Sequence, residues 1–197
     1  MTQNEKFQHQ YRIPSNRFQG WNYAWDGTYF ITICTQKRRC YFGDIQQNEM
    51  FLTELGKQAE KCVVDIPQHF PFVMMDGFVI MPNHVHLLFT ICNMGMDTQP
   101  PDVVDNNNNV ETQNFASLRM APSLPFQNTF GPQSKNVASI VRGFKIGVTK
   151  YARNHGIDFA WQTRFYDHIV RNEQAYNHIL FYIQNNINQW NKDSLKP

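Results

Sequence analysis

Phe72-Val73-Met74-Met75-Asp76-Gly77-Phe78-Val79-Ile80-Met81-Pro82-Asn83-His84-Val85-His86-Leu87-Leu88-Phe89 places two runs of strand-forming residues on either side of a Pro-Asn pair. Proline and asparagine supply turn chemistry, so the stretch predicts a β-hairpin whose second strand runs on to about Ile91. Side chains alternate faces along a strand, which points His84 and His86 the same way and Val85 the other. Two imidazoles on one rigid face are a natural pair of metal ligands.

The remaining elements follow from periodicity. Upstream, Thr28-Tyr29-Phe30-Ile31-Thr32-Ile33-Cys34-Thr35 predicts a first strand. Glu49 to about Val64 predicts an amphipathic helix, with Phe51, Leu52, Leu55, Ala59 and Cys62/Val63 recurring at three and four residues. Downstream, Val137, Ile140, Val141, Phe144, Val148 and Tyr151 form a helical apolar stripe closed by Asn154-His155-Gly156. Phe159 to Val170 reads as extended. Asn172 is a suitable N-cap for a last helix from about Glu173 to Trp190, with Tyr176, Ile179, Leu180, Ile183 and Ile187 on its apolar face. Strand, helix, strand, strand, helix, strand is the ferredoxin-like, split βαβ pattern. The fold expected is α+β, an antiparallel sheet with helices on one face plus a C-terminal helix, and the histidine strand central.

With 197 residues, 42% of them hydrophobic, the chain suits one well-buried domain. Two segments stand apart. Residues 1–27 read as an irregular arm in which Arg12, Arg17, Trp21, Tyr23 and Trp25 either pack on the body or stack bases and touch phosphates. Residues 93–135, with Asn106-Asn107-Asn108-Asn109 and scattered prolines, read as a flexible insertion. Cys34, Cys40, Cys62 and Cys92 lack CxxC spacing, which argues against a zinc knuckle and for reduced, buried thiols. No run approaches a membrane span and no signal-peptide core is present, so a cytoplasmic protein is expected.

A net charge of +2 excludes a generic polycation, so any nucleic-acid affinity must be local. Lys37, Arg38 and Arg39 cluster at the end of the first strand. Arg142, Lys145, Thr149 and Arg153 line one face of the helix that begins near Val137. Either group is a solvated surface or a phosphate track.

A histidine pair alone can be a satisfied polar patch on a sheet. The last helix offers a matching part, because Tyr182 and Asn186 lie one turn apart on a shared face. An Asn186 amide oxygen could complete a metal site with His84 and His86, leaving Tyr182 one turn away to attack a phosphate. The other reading of Tyr182 is a half-buried helix aromatic. Tyr151 and Tyr166 compete with it, although neither precedes a polar ligand by one helical turn near the end of the chain.

These motifs resemble those of the single-tyrosine HUH transposases, and most closely the REP-associated tyrosine transposases. The resemblance runs through Arg12-Ile13-Pro14, Gly27-Thr28-Tyr29-Phe30-Ile31-Thr32, Leu55-Gly56 and Met81-Pro82-Asn83-His84-Val85-His86. It continues in Ile140-Val141-Arg142-Gly143-Phe144-Lys145, Trp161-Gln162, Phe165 to Glu173 and Tyr182-Ile183-Gln184-Asn185-Asn186. It implies that His84, His86 and Asn186 hold Mg²⁺ or Mn²⁺ and that Tyr182 forms a 5′-phosphotyrosine link to single-stranded DNA. It implies a substrate of palindromic, REP-like hairpins, a monomer or a homodimer, and no membrane partner. Asn186-Ile187 stands where the family usually has Asn-Pro. The alternatives are a catalytically silent hairpin-binding regulator and a metal hydrolase that uses water.

Overall fold

The computed structural model describes residues 21–92 and 135–197, together with a two-residue ladder between Lys6–Phe7 and Gln10–Tyr11. Arg12, Arg17 and most of the 93–135 segment lie outside the described residues.

The central sheet has four strands. They are β1 (Gly27–Cys34), β4 (Val73–Met81), β5 (His84–Ile91) and β6 (Tyr166–Val170), in the spatial order β4-β5-β1-β6 with every pairing antiparallel. This is the ferredoxin-like order, with β5 and β1 inside. The β4–β5 hairpin closes as expected through Pro82 and Asn83, pairing Met81 with His84. Across the other edge of β5, Cys34 pairs with His84 and Thr32 with His86.

One face of the sheet carries Tyr29, Ile31, Ile33, Val85, Leu87, Phe89 and Ile91. Helices α1 (Glu54–Val64) and α3 (Val137–Asn154) cover it through Leu55, Ala59, Val63, Ile140, Val141, Phe144 and Val148. The opposite face carries Phe30, Val79, Met81 and Leu88, covered by Ile183, Trp190 and the Ile179 and Leu180 side chains of α4 (Glu173–Asn185). Burial on both faces explains why β5 is apolar almost throughout instead of alternating. Register slips between Met75 and Gly77 in β4, and there α4 comes close: a Cβ on Gly77 would lie 3.0 Å from Leu180 Cδ1.

The helix expected from Glu49 begins later. Gly43–Gln46 (β2) and Glu49–Leu52 (β3) form a small hairpin instead, with Gln47 and Asn48 at φ 52° and 64° in its turn. Two central residues with positive φ match the twist of a two-residue hairpin. Phe51 is 54% exposed, so its spacing to Leu55 carried no packing signal. The helix start belongs to Thr53, whose hydroxyl accepts from the Gly56 amide at 3.1 Å and donates to the Tyr41 carbonyl at 2.7 Å. A single further turn, α2 (Ile66–His69), leads into β4.

At α3 the start is as read, with Asn136 and Ser139 forming a reciprocal capping box. Gly156, at φ +67°, follows the helix. The extended stretch from Phe159 is strand only over β6, with an isolated bridge from Thr35 to Trp161. The last helix is α-helical to Asn185 and then tightens into a 3₁₀ segment, Ile187–Lys192. In the arm, Trp21 and Tyr23 are buried, and Trp21 Nε1 donates to the Tyr29 hydroxyl at 3.1 Å. Those two aromatics pack the core. The thiols are free but not buried: Cys34 and Cys62 are half-buried, and Cys40 and Cys92 are exposed. Among the described residues no helix is long and apolar enough to cross a membrane.

Candidate functional site

His84 and His86 leave β5 on the face covered by α4 and the chain that follows it. His84 is fully buried and His86 is 2% exposed, and their Nε2 atoms face one another at 3.1 Å. Each ring is held from behind. His84 Nδ1 lies 2.7 Å from Asn83 Oδ1, and His86 Nδ1 lies 2.8 Å from the Thr32 hydroxyl. The orientation of Asn83 is set by its own amide nitrogen, which donates to the Arg38 carbonyl at 3.1 Å and the Leu195 carbonyl at 2.7 Å. Its Oδ1 can therefore only accept, and His84 must carry its proton on Nδ1. The Nε2 lone pair of His84 then points at the gap between the rings.

Burial drives both imidazoles down to about 3, helped at His84 by the Arg38 guanidinium and at His86 by His84 itself. Both rings are neutral at physiological pH, the state in which imidazole binds a metal.

Helix α4 brings Tyr182 and Asn186 to the same place. The Tyr182 hydroxyl lies 3.3 Å from His86 Nε2, and its ring meets those of Phe30 and His86 edge-on. Tyr182 is 37% exposed, so its oxygen is reachable from a cleft lined by Phe30, Thr32, Arg38, His86, Gln162, Arg164 and Asp193. Burial raises its pKa, and the neighbouring Asn186 amide pulls against that rise. Asn186 caps the helix and is 2% exposed. Among the described residues its Oδ1 has no hydrogen-bond partner.

This arrangement fits a divalent cation. Two nitrogens each about 2.1 Å from one ion, at roughly a right angle, sit about 3 Å apart. The observed pair matches that spacing. The orphaned, buried amide oxygen of Asn186, beside Tyr182, is costly unless something binds it. No ready-made cluster of three His, Cys, Asp or Glu side chains exists among the described residues, so the histidine pair is the part already at ligand spacing.

The competing tyrosines stand elsewhere. Tyr151 stacks on His155 with ring centroids 3.9 Å apart, on α3 across the sheet. Tyr166 is 53% exposed on β6, opposite Thr32, and lines the outer part of the same cleft.

The basic residues fall into two groups. Lys37, Arg38 and Arg39 follow β1 in a tight turn, with Arg38 Nη1 donating to the Ser194 carbonyl at 2.7 Å. Arg39 makes an exposed 4.0 Å ion pair with Asp158, a contact worth little in water. Arg142, Lys145 and Arg153 line a groove along α3 with Thr149, Lys150, Thr163 and Phe165. Phe165 also lines the Tyr182 cleft, so groove and cleft meet there. Lys145 is partly spoken for, donating to the Gln162 carbonyl at 2.9 Å with its ammonium 5.7 Å from the Trp161 ring centre.

Sequence reasoning missed Thr32, Asn83 and Asp193 as parts of the site. Thr32 was detectable through strand register and Asn83 through its place beside His84. Asp193 follows a 3₁₀ turn that has no periodic signature.

No protein-family model matches the chain. An uncharacterised protein of Haemophilus influenzae (strain ATCC 51907 / DSM 11121 / KW20 / Rd) is 41% identical over 182 residues, covering 92% of this chain and 91% of that one. Among solved structures, a REP-associated tyrosine transposase bound to a REP hairpin aligns with a TM-score of 0.52 at 18% identity, over 89% of this chain and 72% of that chain. The chain therefore belongs to one family with the Haemophilus influenzae protein and shares the fold of a tyrosine transposase.

Proposed function

We propose that this chain cuts and rejoins single-stranded DNA beside hairpins, with Tyr182 as the nucleophile and a divalent cation, Mg²⁺ or Mn²⁺, held by His84, His86 and Asn186. One observation carries the reading: the reachable Tyr182 hydroxyl lies 3.3 Å from His86 Nε2, at the open side of the neutral histidine pair. A structural aromatic has no need of that position.

The phenolic oxygen attacks phosphorus, the bond to the 3′ oxygen breaks, and that oxygen leaves as a 3′-OH. The DNA stays attached to Tyr182 through its 5′ phosphate. Attack by another 3′-OH reverses the sequence and rejoins strands with no external energy. The raised pKa of Tyr182 means that the tyrosine enters protonated and gives up its proton to solvent in the cleft during attack, while the leaving 3′ oxygen takes one up. A divalent cation held by His84, His86 and Asn186 would supply charge neutralisation at the phosphate. Thr32 and Asn83 hold the two imidazoles in register.

The groove along α3, with Arg142, Lys150 and Arg153 exposed, gives the strand a positively charged approach that runs past Phe165 to Tyr182. Lys37, Arg38 and Arg39 flank the other side of the cleft. The packing of Ile179, Leu180 and Ile183 of helix α4 on the sheet supports a site assembled within one chain. The hairpin bound by the transposase of like fold supports a palindromic, REP-like substrate.

The test is incubation of the protein with a hairpin-bearing single-stranded oligonucleotide and Mn²⁺, followed by a denaturing gel. A covalent protein–DNA band that disappears in His84→Ala supports strand transfer. Cleavage without the band indicates a hydrolase, and a shift on a native gel alone indicates a silent hairpin binder.

A further inference from the structure

We propose that Asp193, delivered by the chain segment after α4, is a further, anionic ligand of the centre formed by His84, His86 and Asn186. This rests on the reading of that histidine pair as metal ligands. The Asp193 side chain is 6% exposed, and its Oδ2 lies 3.6 Å from His84 Nε2. Among the described residues that oxygen has no hydrogen-bond partner. A buried carboxylate oxygen left alone is costly, and here it faces a ring nitrogen that also carries a lone pair. Two acceptors oriented at one another repel unless a cation lies between them.

An ordinary ion pair does not explain the contact. Asn83 already takes the Nδ1 proton of His84, so the neutral ring has no proton on Nε2 to offer Asp193. The separation of 3.6 Å is also too long for a hydrogen bond.

The segment is built to hold Asp193 there. Its Oδ1 accepts from the Leu195 amide at 2.7 Å, which turns Oδ2 toward the histidines. The Leu195 carbonyl accepts from Asn83 at 2.7 Å and the Ser194 carbonyl accepts from Arg38 at 2.7 Å. The residue that fixes the tautomer of His84 thus also anchors the segment that carries Asp193. A shift of about half an ångström would bring Oδ2 to the spacing of neighbouring ligands on one ion.

The donor set changes character as a result. Two imidazoles and a neutral amide leave the charge of a divalent ion uncompensated and favour softer transition metals. Adding a carboxylate offsets one charge and moves the preference toward Mn²⁺ and Mg²⁺.

The test is calorimetric titration of Mn²⁺ into the metal-stripped full chain, without DNA. The result expected is wild-type binding that is lost in His86→Ala and weakened at least about tenfold in Asp193→Asn. Asp193→Asn that binds Mn²⁺ as tightly as wild type, or more tightly, overturns the inference and leaves the histidine site standing. Wild-type protein that binds no Mn²⁺ overturns both. A second measurement needs no Asp193 variant: carboxypeptidase digestion of wild type and His86→Ala with and without Mn²⁺. Mn²⁺ should slow trimming past Asp193 in wild type and have no such effect in His86→Ala. Equal trimming with and without Mn²⁺, under conditions where wild type binds it, overturns the inference.

Discussion

Asn83 Oδ1 accepts the Nδ1 proton of His84 across 2.7 Å, and through that bond one turn residue decides which nitrogen of a buried histidine is free. The hairpin turn is therefore part of the site as well as part of the fold. Asn83→Ala removes the acceptor and both donations to Arg38 and Leu195. Outer-shell losses of this kind cost about 10- to 100-fold in metal affinity. Titration of Mn²⁺ into the variant checks it, and unchanged affinity would show that the tautomer is set elsewhere.

Acid should weaken the metal-free protein in a defined window. Both histidines fall from an ordinary 6.5 to about 3 on folding, so below 6.5 the unfolded chain takes up protons that the folded chain refuses. Their contribution to stability is full above 6.5 and is lost progressively as pH falls toward 3. Urea midpoints measured at several pH values across this window should drop, and His86→Gln should make the drop shallower. An equally steep profile in that variant would remove His86 from the explanation.

Arg142 is exposed on the α3 groove and is the cleanest test of the strand path, since Lys145 is also tied to Gln162 and Trp161. Arg142→Ala should weaken hairpin-oligonucleotide binding a few-fold. It should also reduce the slope of log K against log salt by about 0.7 to 0.9, the loss of one phosphate contact. Binding measured between 50 and 200 mM salt (about one to four times the lower value) decides it; an unchanged slope would place the strand elsewhere.

Gly56 ties α1 to the turn before β2. A Cβ there would sit 2.0 Å from the Phe42 carbonyl oxygen, which is backbone and cannot step aside. Gly56→Ala should cost roughly 2–4 kcal/mol by chemical denaturation. A loss below about 0.5 kcal/mol would mean that α1 shifts freely on its neighbours.

Much of this architecture was legible in the sequence because strand and helix periods set it. The Met81–His84 turn, the Asn172 cap and the apolar stripe of α4 all fell where spacing put them. Phe51 and Leu52 misled because their distance from Leu55 imitates a helical repeat, while Gln47 and Asn48 adopt a turn that usually advertises itself with glycine. In the site, His84, His86, Tyr182 and Asn186 could be paired by face and turn. Asp193 could not, since its position depends on hydrogen bonds from Asn83 and Arg38, residues more than a hundred positions earlier.

The most direct test of the account is the chemical identity of the DNA-linked residue. The covalent adduct formed with a hairpin oligonucleotide and Mn²⁺ is digested with protease and nuclease, and the peptide carrying residual nucleotide is sequenced by mass spectrometry. A phosphotyrosyl bond on Tyr182 is expected, with no adduct from Tyr182→Phe. A nucleotide on Tyr166 or Tyr151, or an adduct that survives Tyr182→Phe, would contradict it.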